Sequence, residues 1–240
     1  MDKKIADFIQ SNKRTGKKLL AVLIDPDKAS PSHLQNVLQP DNVAKIDLIF
    51  IGGSVLTSGN IHDAIDMVKS ICDVPCVIFP GSPDQISSKA DAILLLSLIS
   101  GRNPELLIGK HVESALRLKQ SNLEILSTGY ILIDGGATTT VSYISGTSPI
   151  PADKPGLAAM TALAGEQLGL QIIYMDAGSG AKTPIHKDTI SAVRKHTTQP
   201  IVVGGGIRSI EGIKNAWNAG ADVVVIGNRL EEDPHFLQKL

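Results

Sequence analysis

This chain of 240 residues has few aromatic side chains: one tryptophan, three tyrosines and four phenylalanines, or 3% of the sequence. Proteins that bind single-stranded nucleic acids stack the bases on aromatic side chains, so this scarcity argues against that function. The chain also has little excess charge, with 23 lysines and arginines against 24 aspartates and glutamates. A balanced charge provides no electrostatic attraction for a polyanion. We therefore expect no nucleic-acid partner.

Cysteines and long apolar runs are also scarce. Cys72 and Cys76 are separated by three residues, and the sequence has no second pair to complete a common type of zinc site. We interpret both as reduced thiols of a cytoplasmic protein. The longest apolar runs, such as residues 92–96, have the length of a strand rather than of a membrane span, and residues 1–16 are too polar for a signal peptide. We expect a cytoplasmic protein without a transmembrane segment.

Short apolar runs alternate with helix-like stretches along the whole chain, and this alternation is typical of parallel βα units. Eight such runs are present, which is the number that closes a (β/α)8 barrel, and a barrel of this kind needs about 250 residues. The sequence therefore predicts one (β/α)8 TIM-barrel domain over residues 1–240. The predicted strands are 19–25, 47–51, 76–79, 92–97, 124–132, 171–175, 201–203 and 222–226.

The helix pattern has one gap and one long interruption. Only residues 81–88 are available between the third and fourth strands, and they are too few and too polar for a standard helix. We predict a modified barrel whose third helix is reduced to a loop or a single turn. Residues 134–155 show no helical pattern, and a loop of this length is usually functional. The predicted helices are 31–38, 61–71, 104–119, 157–168, 184–196 and 210–219.

Two glycine-rich turns directly follow the last two predicted strands, at residues 204–206 and 227–228. Glycine allows the backbone to approach an anion closely, and the N–H groups at a following helix start favour negative charge. In (β/α)8 barrels the loops after strands 7 and 8 frequently form a phosphate site. The two turns therefore predict a phosphorylated small-molecule ligand.

The end of the sixth strand strengthens this prediction. Tyr174 and Asp176 are two residues apart on a strand, so their side chains point to the same side. The glycine-serine-glycine segment at 178–180 then offers N–H groups and a hydroxyl for a phosphate. A simple turn beside a hydrogen-bonded tyrosine is the alternative interpretation, but three successive glycine turns favour a phosphate pocket.

Carboxylates at the end of the first strand lie across the barrel mouth from this pocket. Asp25 and Asp27 provide hard oxygen ligands, which suit Mg²⁺ together with water and substrate phosphates. The second strand ends in a glycine turn that presents the hydroxyl of Ser54. The six histidines are scattered, and no nucleophilic serine elbow or catalytic cysteine is apparent.

Taken in order, these segments identify a resemblance that spans nearly the whole chain. The chain resembles the geranylgeranylglyceryl phosphate synthase group of prenyltransferases, which includes the bacterial heptaprenylglyceryl phosphate synthases, and it is more similar to the bacteroidete-type branch than to the bacillus type. The segments that carry the resemblance are LIDPDK at 23–28, IGGS at 51–54, FPGS at 79–82, YMDAGSGA at 174–181, VGGGIR at 203–208 and IGN at 226–228.

The resemblance implies the transfer of a polyprenyl group, with geranylgeranyl as the first expectation, from its diphosphate to the terminal hydroxyl of sn-glycerol 1-phosphate. It implies that Asp25 and Ser54 bind Mg²⁺. Some family members have glutamate where this chain has Asp176, which alters the reach of the carboxylate. The implied glycerol phosphate site comprises Tyr174, Met175, Asp176, Ala177, Gly178, Ser179, Gly180, Gly205, Gly206, Gly227 and Asn228.

Roles for three residues follow as a hypothesis. Mg²⁺ on Asp25 neutralises the donor diphosphate, Asp176 orients or deprotonates the acceptor hydroxyl, and Tyr174 holds a phosphate or a hydroxyl. We expect a homo-oligomer, and because the product is hydrophobic we expect transient contact with a membrane surface. Two alternatives remain open: an isomerase of amino-acid biosynthesis, which shares the glycine turns, and a non-catalytic barrel that binds a phosphometabolite.

Overall fold

Eight parallel strands form a closed barrel, as predicted. The structure is a computed structural model that describes residues 4–240, apart from the side chain of Glu231. Each strand pairs with the next, and the last pairs with the first. The strands are β1 (Leu19–Ile24), β2 (Leu48–Ile51), β3 (Cys76–Ile78), β4 (Ala92–Leu98), β5 (Glu124–Leu132), β6 (Ile172–Asp176), β7 (Ile201–Gly204) and β8 (Val223–Ile226).

Helices surround the barrel, and all six predicted helices are present. The predicted helix at 104–119 is split into a 3-10 turn, Pro104–Leu106, and an α-helix that begins at Gly109. The helices are α1 (Lys4–Thr15), α2 (Pro31–Val37), α3 (Pro40–Val43), α4 (Ile61–Ile71), α5 (Gly109–Ser121), α6 (Thr140–Ser145), α7 (Pro155–Gln167), α8 (Lys187–His196), α9 (Ile210–Ala219) and α10 (Asn228–Glu232). None of the helices described is long and apolar enough to cross a membrane.

Four of these helices were not predicted from the sequence: α1, α3, α6 and α10. α6 lies inside the segment 134–155 for which no helix was expected, and it begins with a capping box in which Thr139 and Ser142 satisfy each other's backbone N–H groups. A capping box usually has glutamate or glutamine three residues after the N-cap. Because this position is Ser142 here, the sequence lacks the usual pattern that marks the start of a helix. α1 is mostly polar, but Ile5 and Ile9 are buried against the amino-terminal end of the barrel.

The base of the barrel is closed by α1, and a carboxylate at the start of β5 holds this helix in place. Glu124 is buried, and its two oxygens accept hydrogen bonds from the backbone N–H groups of Ile5 at 2.7 Å and Ala6 at 2.9 Å. These N–H groups belong to the first turn of the helix, where no intrahelical acceptor is available. The closed base leaves the opposite end of the barrel for a ligand.

Half of the aromatic residues in the chain meet inside the barrel near its carboxyl-terminal end. Phe50, Phe79, Tyr130 and Tyr174 form one cluster, with ring centroids of neighbouring pairs 5.0–6.4 Å apart. Aromatic pairs at such distances stabilise a fold by about 0.5–1.5 kcal/mol each beyond their buried area. These four aromatic residues thus lie beneath the barrel mouth, where they form its floor.

The third barrel helix is absent, as predicted. Residues 79–91 form turns and bends between β3 and β4. Gln85 anchors this segment: it is buried, it accepts a hydrogen bond from the N–H of Gly81 at 2.9 Å and it donates to the carbonyl of Gly53 at 3.3 Å. Because no helix covers this part of the sheet, outward-facing residues of β4 such as Leu95 remain only partly buried.

Candidate functional site

A cavity of about 350 Å³ opens at the carboxyl-terminal end of the barrel. Parallel strands deliver their carboxyl-terminal loops to this end, so residues far apart in sequence meet here. The structure brings together in this cavity ten of the residues that the sequence predicted: Asp25, Ser54, Tyr174, Asp176, Ser179, Gly180, Gly205, Gly206, Gly227 and Asn228.

Three residues of the predicted glycerol phosphate site do not line the cavity. Met175 is buried in the layer between strands and helices, because alternate residues of β6 face outward. The N–H of Ala177 donates to the carbonyl of Gly204 at 3.1 Å, and the N–H of Gly178 donates to Asp176 Oδ1 at 2.7 Å. These two residues therefore shape the turn after β6, and direct contact between any of the three and a ligand stays a prediction.

Asp176 is a buried carboxylate with two hydrogen-bond donors. Its Oδ2 accepts from the hydroxyl of Tyr130 at 2.6 Å, and its Oδ1 accepts from the N–H of Gly178 at 2.7 Å. Burial raises the pKa of Asp176 above its ordinary value, whereas the two hydrogen bonds act in the opposite direction. A raised pKa in a cavity is typical of a carboxylate that accepts a proton during catalysis.

Tyr130 is a site residue that the sequence analysis did not identify. It lies on β5 directly opposite Tyr174 of β6, and both tyrosines line the cavity. Tyr130 is the one polar aromatic residue of β5. Since neighbouring strands of a parallel barrel end side by side, its position near the end of β5 was a usable signal.

Tyr174 explains one of the glycines in the turn after β7. A Cβ atom at Gly204 would lie 2.8 Å from the Tyr174 hydroxyl, so a side chain at this position would collide with it. Burial, with the nearby Asp176 carboxylate as a second cause, raises the pKa of Tyr174 well above its ordinary value. The hydroxyl is therefore neutral, and it can donate a hydrogen bond to a ligand.

The glycine turns after β6 and β7 pack against each other. Gly205 has φ +82°, and a Cβ atom on it would lie 2.6 Å from Asp176 Oδ1 and 2.7 Å from the N–H nitrogen of Gly178. Both the backbone conformation and the lack of space thus require glycine. Arg208 follows on the same turn, is exposed and lines the cavity. It places a cation beside the turns that we predicted to hold a phosphate.

Asp25 and Ser54 lie on neighbouring loops across the cavity. Oδ1 of Asp25 accepts a hydrogen bond from the N–H of Asp27 at 3.0 Å, and a Cβ atom on Gly53 would lie 3.7 Å from that oxygen. Among the residues that the structure describes, no three histidines, cysteines or carboxylates cluster as metal ligands. One carboxylate and one hydroxyl still fit Mg²⁺, which commonly takes few protein ligands and completes its shell with water and substrate phosphates.

The structure corrects the placement of Asp27. The sequence predicts its carboxylate at the barrel mouth beside Asp25, but Asp27 is not among the residues that line the cavity. Its carboxylate instead accepts hydrogen bonds from the backbone N–H groups of residues 57–59. The spacing in the sequence could not reveal this, because the partners lie about thirty residues further along the chain.

The cavity continues as an apolar arm in the region where the third helix is missing. Apolar side chains from the β3–β4 segment, the outer face of β4 and α5 line this arm, together with His111, whose Nε2 lies 3.2 Å from the Ser97 hydroxyl oxygen. The residues of this arm and of the glycine turns line the same cavity. Its apolar lining residues include Ile86, Ile93, Leu95 and Leu118.

Comparisons with known proteins agree with this geometry. The family model described as the PcrB family matches residues 13–240. A geranylgeranylglyceryl phosphate synthase from Chitinophaga pinensis is 50% identical over 240 residues, which cover 100% of this chain and 95% of the relative. One from Spirosoma linguale is 51% identical over 233 residues, or 97% of this chain and 94% of the relative.

A solved structure supports the same assignment. The crystal structure of (S)-3-O-geranylgeranylglyceryl phosphate synthase from Thermoplasma acidophilum, in complex with substrate sn-glycerol-1-phosphate, is 32% identical to this chain with a TM-score of 0.88. The match covers 95% of this chain and 92% of that one. The family resemblance and the bacteroidete-type branch predicted from the motifs are thus confirmed. This chain belongs to the PcrB family, together with the geranylgeranylglyceryl phosphate synthases that it matches.

Proposed function

We propose that this protein is a prenyltransferase that joins a polyprenyl group, with geranylgeranyl as the first candidate, to the terminal hydroxyl of sn-glycerol 1-phosphate and releases diphosphate. The observation that carries the proposal is the continuity of the cavity. Glycine turns suited to a phosphate, a buried carboxylate suited to a hydroxyl and an apolar arm suited to a hydrocarbon chain all line the same space.

Glycerol phosphate belongs on the side of the cavity formed by β6, β7 and β8. Ser179 and Gly180 of the turn after β6, together with the glycine turns after β7 and β8 at 205–206 and 227–228, line this side and suit a phosphate, and the exposed Arg208 adds positive charge. Tyr174 and Asp176 lie deeper, where they meet the glycerol hydroxyls. The complex of the Thermoplasma acidophilum relative with sn-glycerol-1-phosphate supports this choice of acceptor.

We assign the prenyl diphosphate donor to the opposite side of the cavity, formed by β1, β2 and β4. The apolar arm beside β4 accommodates the hydrocarbon chain, and the diphosphate then lies near Asp25 and Ser54 at the ends of β1 and β2. These two residues would hold Mg²⁺, which acts as a Lewis acid that neutralises the charge of the leaving diphosphate. The names of the relatives from Chitinophaga pinensis and Spirosoma linguale support a geranylgeranyl donor.

The protein positions the two substrates and provides one proton acceptor. The bond between the allylic carbon of the donor and the diphosphate oxygen breaks, and the diphosphate leaves with the electron pair. The terminal glycerol oxygen then forms the ether bond to that carbon, and its proton passes to Asp176. Tyr130 keeps the Asp176 carboxylate oriented through the 2.6 Å hydrogen bond. Much of the acceleration comes from holding the two substrates together in reactive geometry.

The direct test is incubation with radiolabelled sn-glycerol 1-phosphate, Mg²⁺ and farnesyl, geranylgeranyl or heptaprenyl diphosphate, followed by extraction of lipid-soluble label. We expect product with geranylgeranyl diphosphate and little with sn-glycerol 3-phosphate as acceptor. Asp176→Asn should lower turnover by about 10²- to 10⁴-fold and leave glycerol phosphate binding within a few-fold. Failure of the wild-type protein to form lipid-soluble product with any donor would refute the proposal.

Enzymes of amino-acid biosynthesis, which the sequence left as an alternative, have the same barrel. A tryptophan synthase α-subunit from Pyrococcus furiosus shares the fold, at 14% identity and a TM-score of 0.59. The shared barrel does not distinguish the two functions, whereas the apolar arm beside the glycine turns suits the long hydrocarbon chain of a prenyl donor.

The expected cytoplasmic location, homo-oligomeric state and membrane-surface contact belong to the same proposal, and fractionation, light scattering and vesicle flotation would test them.

A further inference from the structure

The carboxylate of Asp27 accepts hydrogen bonds from a loop other than its own. Its Oδ1 accepts from the N–H groups of Thr57, Ser58 and Gly59 at 3.1, 3.1 and 2.6 Å. Its Oδ2 accepts from the N–H and the hydroxyl of Thr57 at 2.9 and 2.8 Å. These bonds hold the pKa of the Asp27 carboxyl well below its usual range. All of these donors belong to the loop after β2, residues 52–60, which we call the β2 loop.

The two segments also pack backbone against backbone. A Cβ atom on Gly59 would lie 2.3 Å from the carbonyl carbon and oxygen of Pro26 and 2.5 Å from the N–H nitrogen of Asp27. No side chain fits there, so the β2 loop and the turn that carries Asp27 lie in direct contact. The hydrogen bonds of Asp27 therefore cross an interface that leaves little room for adjustment.

The opposite side of the β2 loop is held by the segment that replaces the third helix. A Cβ atom on Gly81 would lie 2.4 Å from the carbonyl oxygens of both Gly53 and Ser54, so this backbone contact is equally close. Gln85 donates to the carbonyl of Gly53 from a buried position. Ser54 thus lies between two anchors, one at Gly81 and Gln85 and one at Asp27.

Asp27 also acts on Asp25 directly, because its N–H donates to Asp25 Oδ1 at 3.0 Å. We propose that Asp27 is a positioning residue that fixes the carboxylate of Asp25 and the hydroxyl of Ser54 relative to each other, through its backbone N–H on one side and its carboxylate on the other. This inference rests on the proposed function, because it assigns Asp27 to the donor half of the same site.

The decisive variant is Asp27→Asn, which replaces one carboxylate oxygen by an amide nitrogen and leaves that position without an acceptor for the donors of residues 57–59. Groups that orient metal ligands affect metal affinity by about 10- to 100-fold. We therefore expect magnesium diphosphate, measured by calorimetry, to bind about 10-fold more weakly, and the KM for the prenyl donor to rise similarly. Binding of sn-glycerol 1-phosphate should change by less than about 2-fold.

A readout independent of turnover comes from hydrogen exchange. The amides of residues 57–59 should exchange slowly in the wild-type protein and faster in Asp27→Asn, while amides of the turns after β6 and β7 stay unchanged. Thr57→Val, which loses the hydroxyl but keeps the N–H, should show the same effects more weakly. Asp63→Asn, the same substitution at an exposed position in the first turn of α4, should show none.

The outcomes separate this inference from the proposed function. If Asp27→Asn binds magnesium diphosphate as tightly as the wild type, Asp27 has no positioning role. If binding is lost while exchange at residues 57–59 is unchanged, Asp27 contacts the ligand itself and the inference is wrong. If the wild-type protein binds magnesium diphosphate but transfers no prenyl group, the proposed function fails, and calorimetry and exchange still decide the role of Asp27.

Discussion

Replacing Tyr130 by phenylalanine removes one hydroxyl group from the barrel interior, and that hydroxyl donates to Oδ2 of Asp176 at 2.6 Å. Both side chains are buried, so water does not readily take the place of the lost donor. Burial already raises the pKa of Asp176, and the bond from Tyr130 is the larger of the two influences that lower it. The variant should therefore raise the pKa of Asp176 further.

The size of the expected effect follows from the type of hydrogen bond that is lost. A hydrogen bond to a charged group contributes about 1.5–3 kcal/mol, and 1.4 kcal/mol corresponds to a factor of about 10. Because Asp176 accepts a proton only when it is ionised, activity is lost as the pH falls through its pKa. We expect kcat/KM of Tyr130→Phe, measured on the acid limb of the pH profile, to fall by about 10- to 100-fold, and the limb to move to higher pH.

The assay is the pH dependence of kcat/KM for prenyl transfer with saturating donor. Tyr143→Phe is the matched control, since Tyr143 is 79% exposed and the same hydroxyl is removed from the surface. Tyr143→Phe should superimpose on the wild type. An acid limb of Tyr130→Phe that stays in place, or that moves to lower pH, would refute both the catalytic role of Asp176 and its dependence on Tyr130.

The pH dependence of the free energy of unfolding should agree with this upward shift in the pKa of Asp176. A carboxyl whose pKa is raised by folding stabilises the protein at pH values below its unfolded pKa, and this contribution is lost as the pH rises through the folded value. Tyr130→Phe leaves an ionised carboxylate with one donor fewer, so the loss of unfolding free energy should be larger at neutral pH than near pH 4. Urea denaturation at the two pH values measures the difference.

Three further changes test other parts of the structure. Gly205→Ala should lower affinity for sn-glycerol 1-phosphate, measured by calorimetry, by at least about 10-fold, because φ is +82° and the new Cβ would lie 2.6 Å from Asp176 Oδ1. Glu124→Gln should destabilise the protein by about 1–3 kcal/mol in urea, because one acceptor for the first turn of α1 is lost at the closed base; kcat should not change. Leu95→Trp should narrow the apolar arm and shift the preference among prenyl donors of different length towards the shortest.

Controls are available for each of these changes. Gly156 lies in the first turn of α7 with open space around it, so Gly156→Ala should preserve binding. A Glu124→Gln variant with normal stability would show that α1 does not depend on this carboxylate. Equal rates of Leu95→Trp with all donors would mean that the hydrocarbon chain lies elsewhere.

Most of the barrel could be predicted because its signals are local. Buried parallel strands are nearly continuous apolar runs, and the predicted bounds of β5, α4 and α9 are those observed. The missing third helix was equally visible, since too few residues separate β3 from β4. Where the signal was weak, the prediction was wrong: α6 is capped by Thr139, and serine stands at the third helical position of its capping box, where a glutamate or glutamine is usual.

The candidate site could likewise be predicted only where its features are local in the sequence. The sequence alone determined that glycine turns follow β6, β7 and β8, that Tyr174 and Asp176 face the same side, and that a carboxylate follows β1, because these properties depend on residue type and strand period. Only the tertiary structure decided that Tyr130 donates to Asp176 and that Asp27 binds residues 57–59 instead of facing the cavity. Such contacts join segments about thirty to fifty residues apart, and barrel closure brings them together at distances that no local pattern encodes.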